Sequence, residues 1–273
     1  MAFPLHIDWT VNPNLIEDPV MIRWYGVLFA LAFLLGHKIL SRIFRNEGVP
    51  DKQLDQVLIY TMIGTIIGAR LGHVFFYDWS YYSKHLMEIP QIWEGGLASH
   101  GGAIGIILAL WVFSKKVSKR PLLWILDRVV TPIALGGAFI RIGNLMNHEI
   151  VGAPTDVPWA FVFHRLDKIP RHPSQIYEAL AYLIIFGVLF YMYWRKDAYK
   201  KQGLLLGSFL FLVFIARFFI EFFKRHQTLD PDAFLSMGQW LSIPFVLIGA
   251  YLIFNGLKTV PEEEERTSSG SST

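Results

Sequence analysis

Seven apolar runs, each close to the length of a membrane span, limit what this chain can fold into: residues 20–41, 54–76, 97–113, 122–145, 175–194, 204–223 and 237–257. Crossing a hydrocarbon layer takes about 20 residues of α-helix. Lipid offers no hydrogen-bond partners, so a backbone inside it must satisfy itself. The expected fold is all-α: a polytopic membrane protein of about seven transmembrane helices, forming one helical domain over residues 1–258. Gly101, Gly102 and Gly105 interrupt the third run. On the second, Gly64, Gly68 and Gly72 form a small-xxx-small ladder that predicts close packing against a neighbouring helix.

Composition agrees. Only 17% of the 273 residues are charged and 53% are hydrophobic, where soluble domains carry roughly 25% charge. There is no cysteine, which excludes disulfides, thiolate metal sites and a cysteine nucleophile. Residues 1–19 lack a basic stretch leading into an apolar run and a small-residue cleavage site, so no cleaved signal peptide is expected. Net charge is only +3, and the basic residues read as topology signals rather than a nucleic-acid footprint. Residues 259–273 are acidic, then rich in serine and glycine, and predict a disordered tail.

The loops alternate in charge. Residues 1–19 hold Asp8, Glu17 and Asp18 and no lysine or arginine, whereas Arg42, Arg45 and Lys52 follow the first run. Lys115, Lys116, Lys119 and Arg120 follow the third, and Arg195, Lys196, Lys200 and Lys201 follow the fifth. The other connections are mixed or acidic, with Asp78, Glu88, Glu94, Asp230 and Asp232. Short basic loops stay in the cytoplasm. The expected N-terminus is outside and the C-terminus, with the tail 259–273, inside.

That orientation sorts the unusual polar residues. Tyr25, Arg70, His100, Arg141, Asn144, His172, Glu178, Arg217, Glu221 and Gln239 all fall in the outer half of the predicted bundle. Ionisable groups at bilayer depth are costly and default to a functional reading. One arginine near a helix end can simply snorkel to headgroups. Arg70, Arg141 and Arg217 together on the outer side, where arginine is disfavoured, point to a shared anion. Local alternatives stand beside this. Arg217 and Glu221 have the i,i+4 spacing of a structural ion pair. Tyr25, beside Trp24, suits an interfacial aromatic belt. Asn144, Asn147 and Glu149 can close the end of the fourth helix, and Ser174 reads as the N-cap of the fifth. His100 followed by Gly101 and Gly102 reads either as scaffold or as a general base beside backbone a ligand can approach closely.

The stretch from Arg141 to Gly152 resembles the signature of bacterial phosphatidylglycerol–prolipoprotein diacylglyceryl transferases. In that family pattern Gly-Arg leads through a spacer to Gly-Asn-Phe, an apolar residue, Asn, then spaced Glu and Gly. Arg141, Gly143, Asn144, Asn147, Glu149 and Gly152 match at the family's spacing. Trp24-Tyr25-Gly26, Gly68-Ala69-Arg70-Leu71-Gly72, His100-Gly101-Gly102, His172-Pro173-Ser174-Gln175 with Tyr177-Glu178, Arg217-Phe218 with Glu221-Phe222, and Ser236-Met237-Gly238-Gln239 resemble further family blocks, in the family's order. Ile140, Leu145 and Ser99 depart from the usual Gly, Phe and Phe. These departures touch packing and leave the motif's polar atoms in place.

The resemblance implies transfer of a diacylglyceryl group from phosphatidylglycerol to the lipobox cysteine thiol of a preprolipoprotein signal peptide. It implies a multi-pass protein of the bacterial cytoplasmic (inner) membrane, with the lipid bilayer as a partner, no nucleic acid, and no cofactor or metal. Breaking a glyceryl carbon–oxygen bond makes phosphate the leaving group, and preorganised cations stabilise its growing charge. The expected catalytic residues are Arg141 and Arg217 on phosphate and His100 as base, with Tyr25 and Glu149 orienting. Arg70, Asn144, Gly101 and Gly102 are expected around the phosphatidylglycerol, supported by Asn147, Gly152 and Glu221. The attacking thiol belongs to the substrate, in keeping with a cysteine-free enzyme. A transporter for an organic anion is the rival class. It predicts midplane charge and an internal inverted repeat, and neither is evident in the sequence.

Overall fold

The computed structural model describes residues 6–224 and 234–258. The expected disordered tail 259–273 and the acidic residues Asp230 and Asp232 lie outside the described residues. The helices are α1 (Trp24–Asn46), α2 (Asp51–Phe76), a single turn α3 (Trp79–Tyr82), α4 (Ser99–Phe113), α5 (Leu122–Met146), α6 (Ser174–Arg195), α7 (Leu204–Ile220) and α8 (Met237–Lys258). Among the described residues, seven segments are long and apolar enough to cross a membrane: α1, α2, His100–Ser118, α5, α6, Leu204–Phe223 and α8. Their outward faces are apolar. Ile59, Ile63 and Ile67, one turn apart on α2, are each about half exposed.

The chain divides into two compact units: Met1–Lys38 with Asp127–Thr273, and Ile39–Leu126. In the smaller unit α2 and α4 meet along their glycines. A Cβ built on Gly68 would lie 2.7 Å from Gly105 Cα, and one on Gly64 2.7 Å from Ala109 Cβ. Removing side chains lets two backbones approach closely, the main source of helix affinity in lipid. The glycines that interrupt the third apolar run therefore leave α4 unbroken, since Gly101 and Gly105 lie one turn apart and face α2. A π-helical turn, Ser114–Ser118, ends that span.

In the larger unit α7 and α8 repeat the device. A Cβ on Gly249 would lie 2.6 Å from Phe211 N, and the Phe214 and Phe245 rings stack at 4.3 Å. Asp127, near the start of α5, accepts from Gly203 N at 2.6 Å and from Leu206 N at 2.8 Å. It thereby satisfies donors at the N-terminus of α7 that the helix itself leaves open.

The fold is not purely helical. Strand β1 (His6–Trp9) runs parallel to β4 (Ala160–Phe163), and β4 pairs antiparallel with β5 (Pro170–Arg171). β2 (Asn14–Ile16) pairs with β3 (Ile22–Arg23), opposing Asn14 to Arg23. This pairing delays the first helix to Trp24, where the hydropathy suggested residue 20. β1, β2 and β3 precede α1, and β4 and β5 lie between α5 and α6, segments whose backbone needs partners other than a helix ladder. Phe161, Phe163 and Leu145 form a buried cluster joined by Trp9, Val151 and Ile176. The Trp9 indole donates to Leu145 O at 3.1 Å. The sheet is thus fastened to the C-terminal end of α5.

Candidate active site

Helix α5 ends at Met146, and the chain leaves it through a loop held on all sides. His148 and Ile150 adopt φ of 57° and 55°, a left-handed conformation that costs a non-glycine residue about 1–2 kcal/mol. Hydrogen bonds offset that cost. The His148 imidazole Nε2 lies 2.8 Å from Val11 O, Ser174 Oγ donates to Ile150 O at 2.8 Å, and Gln175 Nε2 donates to Glu149 O at 2.5 Å. Ser174 is therefore not the N-cap expected from its position. Pro173 holds that place, and the fully buried Ser174 and Gln175 side chains grip the loop instead.

Gly152 closes the segment. Its N–H donates to His172 O at 3.0 Å, and an added Cβ would lie 2.7 Å from both His172 Cβ and Phe223 O. Gly143 is equally constrained, because a Cβ there would sit 2.8 Å from the Tyr25 ring. Tyr25 is thereby packed directly on the motif.

The side chains of this segment form one network. Arg141 Nη1 donates to Asn144 Oδ1 at 3.3 Å, and Asn144 Nδ2 donates to Glu149 Oε2 at 3.2 Å. Asn147 Nδ2 donates to Glu149 Oε1 at 3.1 Å. Each carboxylate oxygen is thus held by one carboxamide. Arg141 Nε also lies 2.9 Å from Glu178 Oε2, an ion pair without the alignment of a hydrogen bond. Glu178, 4% exposed, accepts from Lys224 Nζ at 2.7 Å on its other oxygen. Lys224 in turn stands 3.6 Å from Glu221. A buried carboxylate between two cations can remain charged, whereas an unpaired one would be strongly disfavoured.

Arg217 is half-buried, and its Nε has no hydrogen-bond partner among the described residues. The ion pair suggested by its spacing to Glu221 is not recorded among the described residues. Glu221 faces Lys224 and the backbone of Gly238, where a Cβ would lie 2.5 Å from the carboxylate carbon. Gln239 reaches back to Phe218 O at 3.3 Å. Beside the motif, His172 Nδ1 lies 3.1 Å from the Tyr177 hydroxyl, which accepts from Trp159 Nε1 at 2.8 Å. Burial pushes the His172 imidazole below its ordinary pKa.

The other expected residues belong to the smaller unit. Arg70 is 3% exposed and donates to Ile89 O and Gly95 O at 2.7 Å and to Glu88 O at 2.8 Å, with the Tyr82 ring 5.0 Å away. Expected near phosphate, it instead clamps the loop before α4, and all three of its nitrogens are engaged by carbonyls. Gly101 and Gly102 also depart from the expectation of an open backbone. Gly101 packs on Gly68 and Gly72, and Gly102 N donates to Ala98 O at 3.0 Å inside the helix. His100 is exposed, and its Nε2 lies 2.9 Å from the Tyr77 hydroxyl. Within its own unit His100 is thus paired with Tyr77.

Sequence reasoning missed Tyr77 and Lys224 as partners and assigned Glu178, though it falls in a family block, no role in the site. Lys224 had a signal, standing three residues after Glu221. Tyr77 had none beyond following α2.

Comparison of the sequence with known proteins places the chain among relatives of one family. A family model described as prolipoprotein diacylglyceryl transferase matches residues 13–255. Similar relatives are the phosphatidylglycerol–prolipoprotein diacylglyceryl transferases of Chloroherpeton thalassium, 49% identical over 95% of this chain and 97% of that protein, and of Tolumonas auensis, 50% identical over 92% and 97%. That of Porphyromonas gingivalis is 44% identical over 94% of this chain and 97% of its own length. With seven spans, the six matching motif residues and this similarity over nearly its whole length, the chain belongs to the prolipoprotein diacylglyceryl transferase family.

Proposed function

We propose that this chain transfers the diacylglyceryl group of phosphatidylglycerol to the lipobox cysteine of preprolipoproteins, in the bacterial cytoplasmic membrane. The substrate thiolate attacks the glyceryl carbon that carries the phosphate. A carbon–sulfur bond forms as the carbon–oxygen bond breaks, and sn-glycerol 1-phosphate leaves with the electron pair. The alternation of basic loops supports an extracytoplasmic N-terminus and a cytoplasmic C-terminus.

The observation that carries the reading is the Arg141–Asn144–Glu149 network. It holds a guanidinium whose Nη2 has no partner recorded among the described residues, on a side chain fixed by Asn144 and Glu178. A preorganised cation stabilises the charge that develops on a departing phosphate without reorganising at the moment of reaction. Arg217, with its unpartnered Nε, is assigned to the same charge. His100 takes the thiol proton, oriented by Tyr77. Tyr25 and Glu149 hold Arg141's surroundings in shape, and Asn147, Gly152 and Glu221 support them.

The test incubates purified protein in vesicles with phosphatidylglycerol labelled in its acyl chains and a lipobox peptide. Label is expected on the peptide cysteine as a thioether, with one sn-glycerol 1-phosphate released per peptide modified. Unlabelled peptide, or label on a cysteine-to-serine peptide, would overturn the reading.

A further inference from the structure

A cavity of about 260 Å³ opens beside the motif in the larger unit, lined by Pro13, Asn14, Arg23, Asn147, Glu149 and Arg165. Three separate segments build it. Arg23 ends β3 opposite Asn14, and Trp24 N donates to Pro13 O at 3.0 Å, holding that hairpin to the start of α1. Arg165 lies in the turn after β4, closed by Leu166 N donating to Phe163 O at 2.8 Å. Asn147 and Glu149 come from the loop after α5. Neither the Arg23 nor the Arg165 side chain has a hydrogen bond or ion pair recorded among the described residues, in contrast to the paired Arg141 and Arg70.

The lining selects its ligand. Five of the six residues are polar, so the cavity does not suit acyl chains, and it is smaller than the roughly 300 Å³ at which drug-sized sites begin. Two guanidiniums recognise phosphate through forked hydrogen bonds. The Glu149 carboxylate would repel a bare phosphate but accepts from hydroxyl groups. A small phosphate ester bearing hydroxyls satisfies both. Two glycerophosphates meet that description: the headgroup of intact phosphatidylglycerol and the released monoester. The diester carries one charge, whereas a phosphate monoester carries about 1.5 to 2 at neutral pH. Two unpaired guanidiniums favour the more highly charged form.

We propose that Arg23 and Arg165, with Glu149 and Asn147, form a second anion subsite that receives sn-glycerol 1-phosphate after the carbon–oxygen bond has broken. The proposal rests on the transferase reading above. Charge that appears only on bond cleavage draws the leaving group into this cavity and away from Arg141.

The test measures binding of sn-glycerol 1-phosphate to the purified full-length protein by titration calorimetry, without turnover, alongside its inhibition of the transferase assay. Arg23→Gln and Arg165→Gln should each weaken binding about 10-fold, as expected for a lost charge-assisted hydrogen bond. The double variant should lose product inhibition while its KM for phosphatidylglycerol changes less than about 2-fold. Inorganic phosphate should bind at least about 10-fold more weakly than the glycerol ester; equal binding would overturn the role of the hydroxyls. A KM that rises in step with the inhibition constant would overturn the product assignment and give the cavity to the intact headgroup. Unchanged binding in a double variant with wild-type thermal unfolding would overturn the subsite itself. A wild-type protein that binds sn-glycerol 1-phosphate yet labels no peptide would instead fault the transferase reading and leave the subsite standing.

Discussion

Arg141 and Arg70 look alike in the sequence, since both stand in apolar runs, in halves the loop charges predict to lie outside, and beside family glycines. Their surroundings differ in kind. Arg70 donates to three backbone carbonyls and lies against an aromatic ring. Arg141 meets a carboxamide and a carboxylate side chain. Carbonyls use up donors and fix a loop, whereas the side-chain partners orient the guanidinium and leave part of its fork open. A buried arginine therefore reveals little until its acceptors are known.

The sharpest way to break this contrast is to remove each fork. Arg141→Ala should lower kcat/KM per folded molecule by about 10³-fold or more, as for loss of a principal oxyanion donor, and should also lower the unfolding temperature, because Glu178 keeps only Lys224 as a cation. Arg70→Lys should lower the unfolding temperature because a lysine cannot serve three carbonyls at once, while activity per folded molecule stays within about 3-fold. Equal activity losses in the two variants would erase the distinction.

His100→Gln should reduce kcat/KM by about 10²-fold and remove the acid limb of its pH profile. A uniform loss at every pH would make His100 scaffold. Tyr77→Phe should cost about 10-fold or less and leave the limb in place. Glu178→Gln should destabilise the larger unit by about 3 kcal/mol, since Arg141 and Lys224 would lose their shared buried anion. Adding Lys224→Met should recover part of that loss, measured by chemical denaturation in detergent. Full additivity would show that the two charges are not coupled.

The smallest effect concerns His172. Burial lowers its folded-state pKa, so the folded protein resists protonation that the unfolded chain accepts. Its contribution to stability is complete above the ordinary imidazole value of about 6.5 and is lost as pH falls toward the lowered value. The unfolding temperature should fall slightly more steeply below about pH 6.5 in wild type than in His172→Gln. Identical pH dependence in the two proteins would refute the assignment.

Much of the architecture was legible before the structure. Hydropathy located the seven spans because lipid solvation is local, and the errors were local too. Residues 20–23 read as apolar helix, yet β3 pairs there with β2 through contacts no window can see. The glycines of α4 read as a break, although their partners on α2 convert them into a packing face. In the site, the spacing from Arg141 to Gly152 was readable because one loop carries it. Ser174 was misread because its hydroxyl bonds to Ile150, which precedes it in a different element. Arg217 and Glu221 have ion-pair spacing, yet Glu221 turns to Lys224.

By itself the sequence determined how many long apolar helices form, roughly where they lie along the chain and which family blocks they carry. Periodicity, hydropathy and motif spacing all act within a few turns of chain. Only the tertiary structure decided which charge meets which. Glu178 joins Arg141 to Lys224, Arg70 is consumed by carbonyls, and Arg23 comes beside Arg165 and Glu149. Those partnerships depend on distances of a few ångströms between segments far apart in sequence, and Coulomb and hydrogen-bond energies at that range are set by packing rather than by composition.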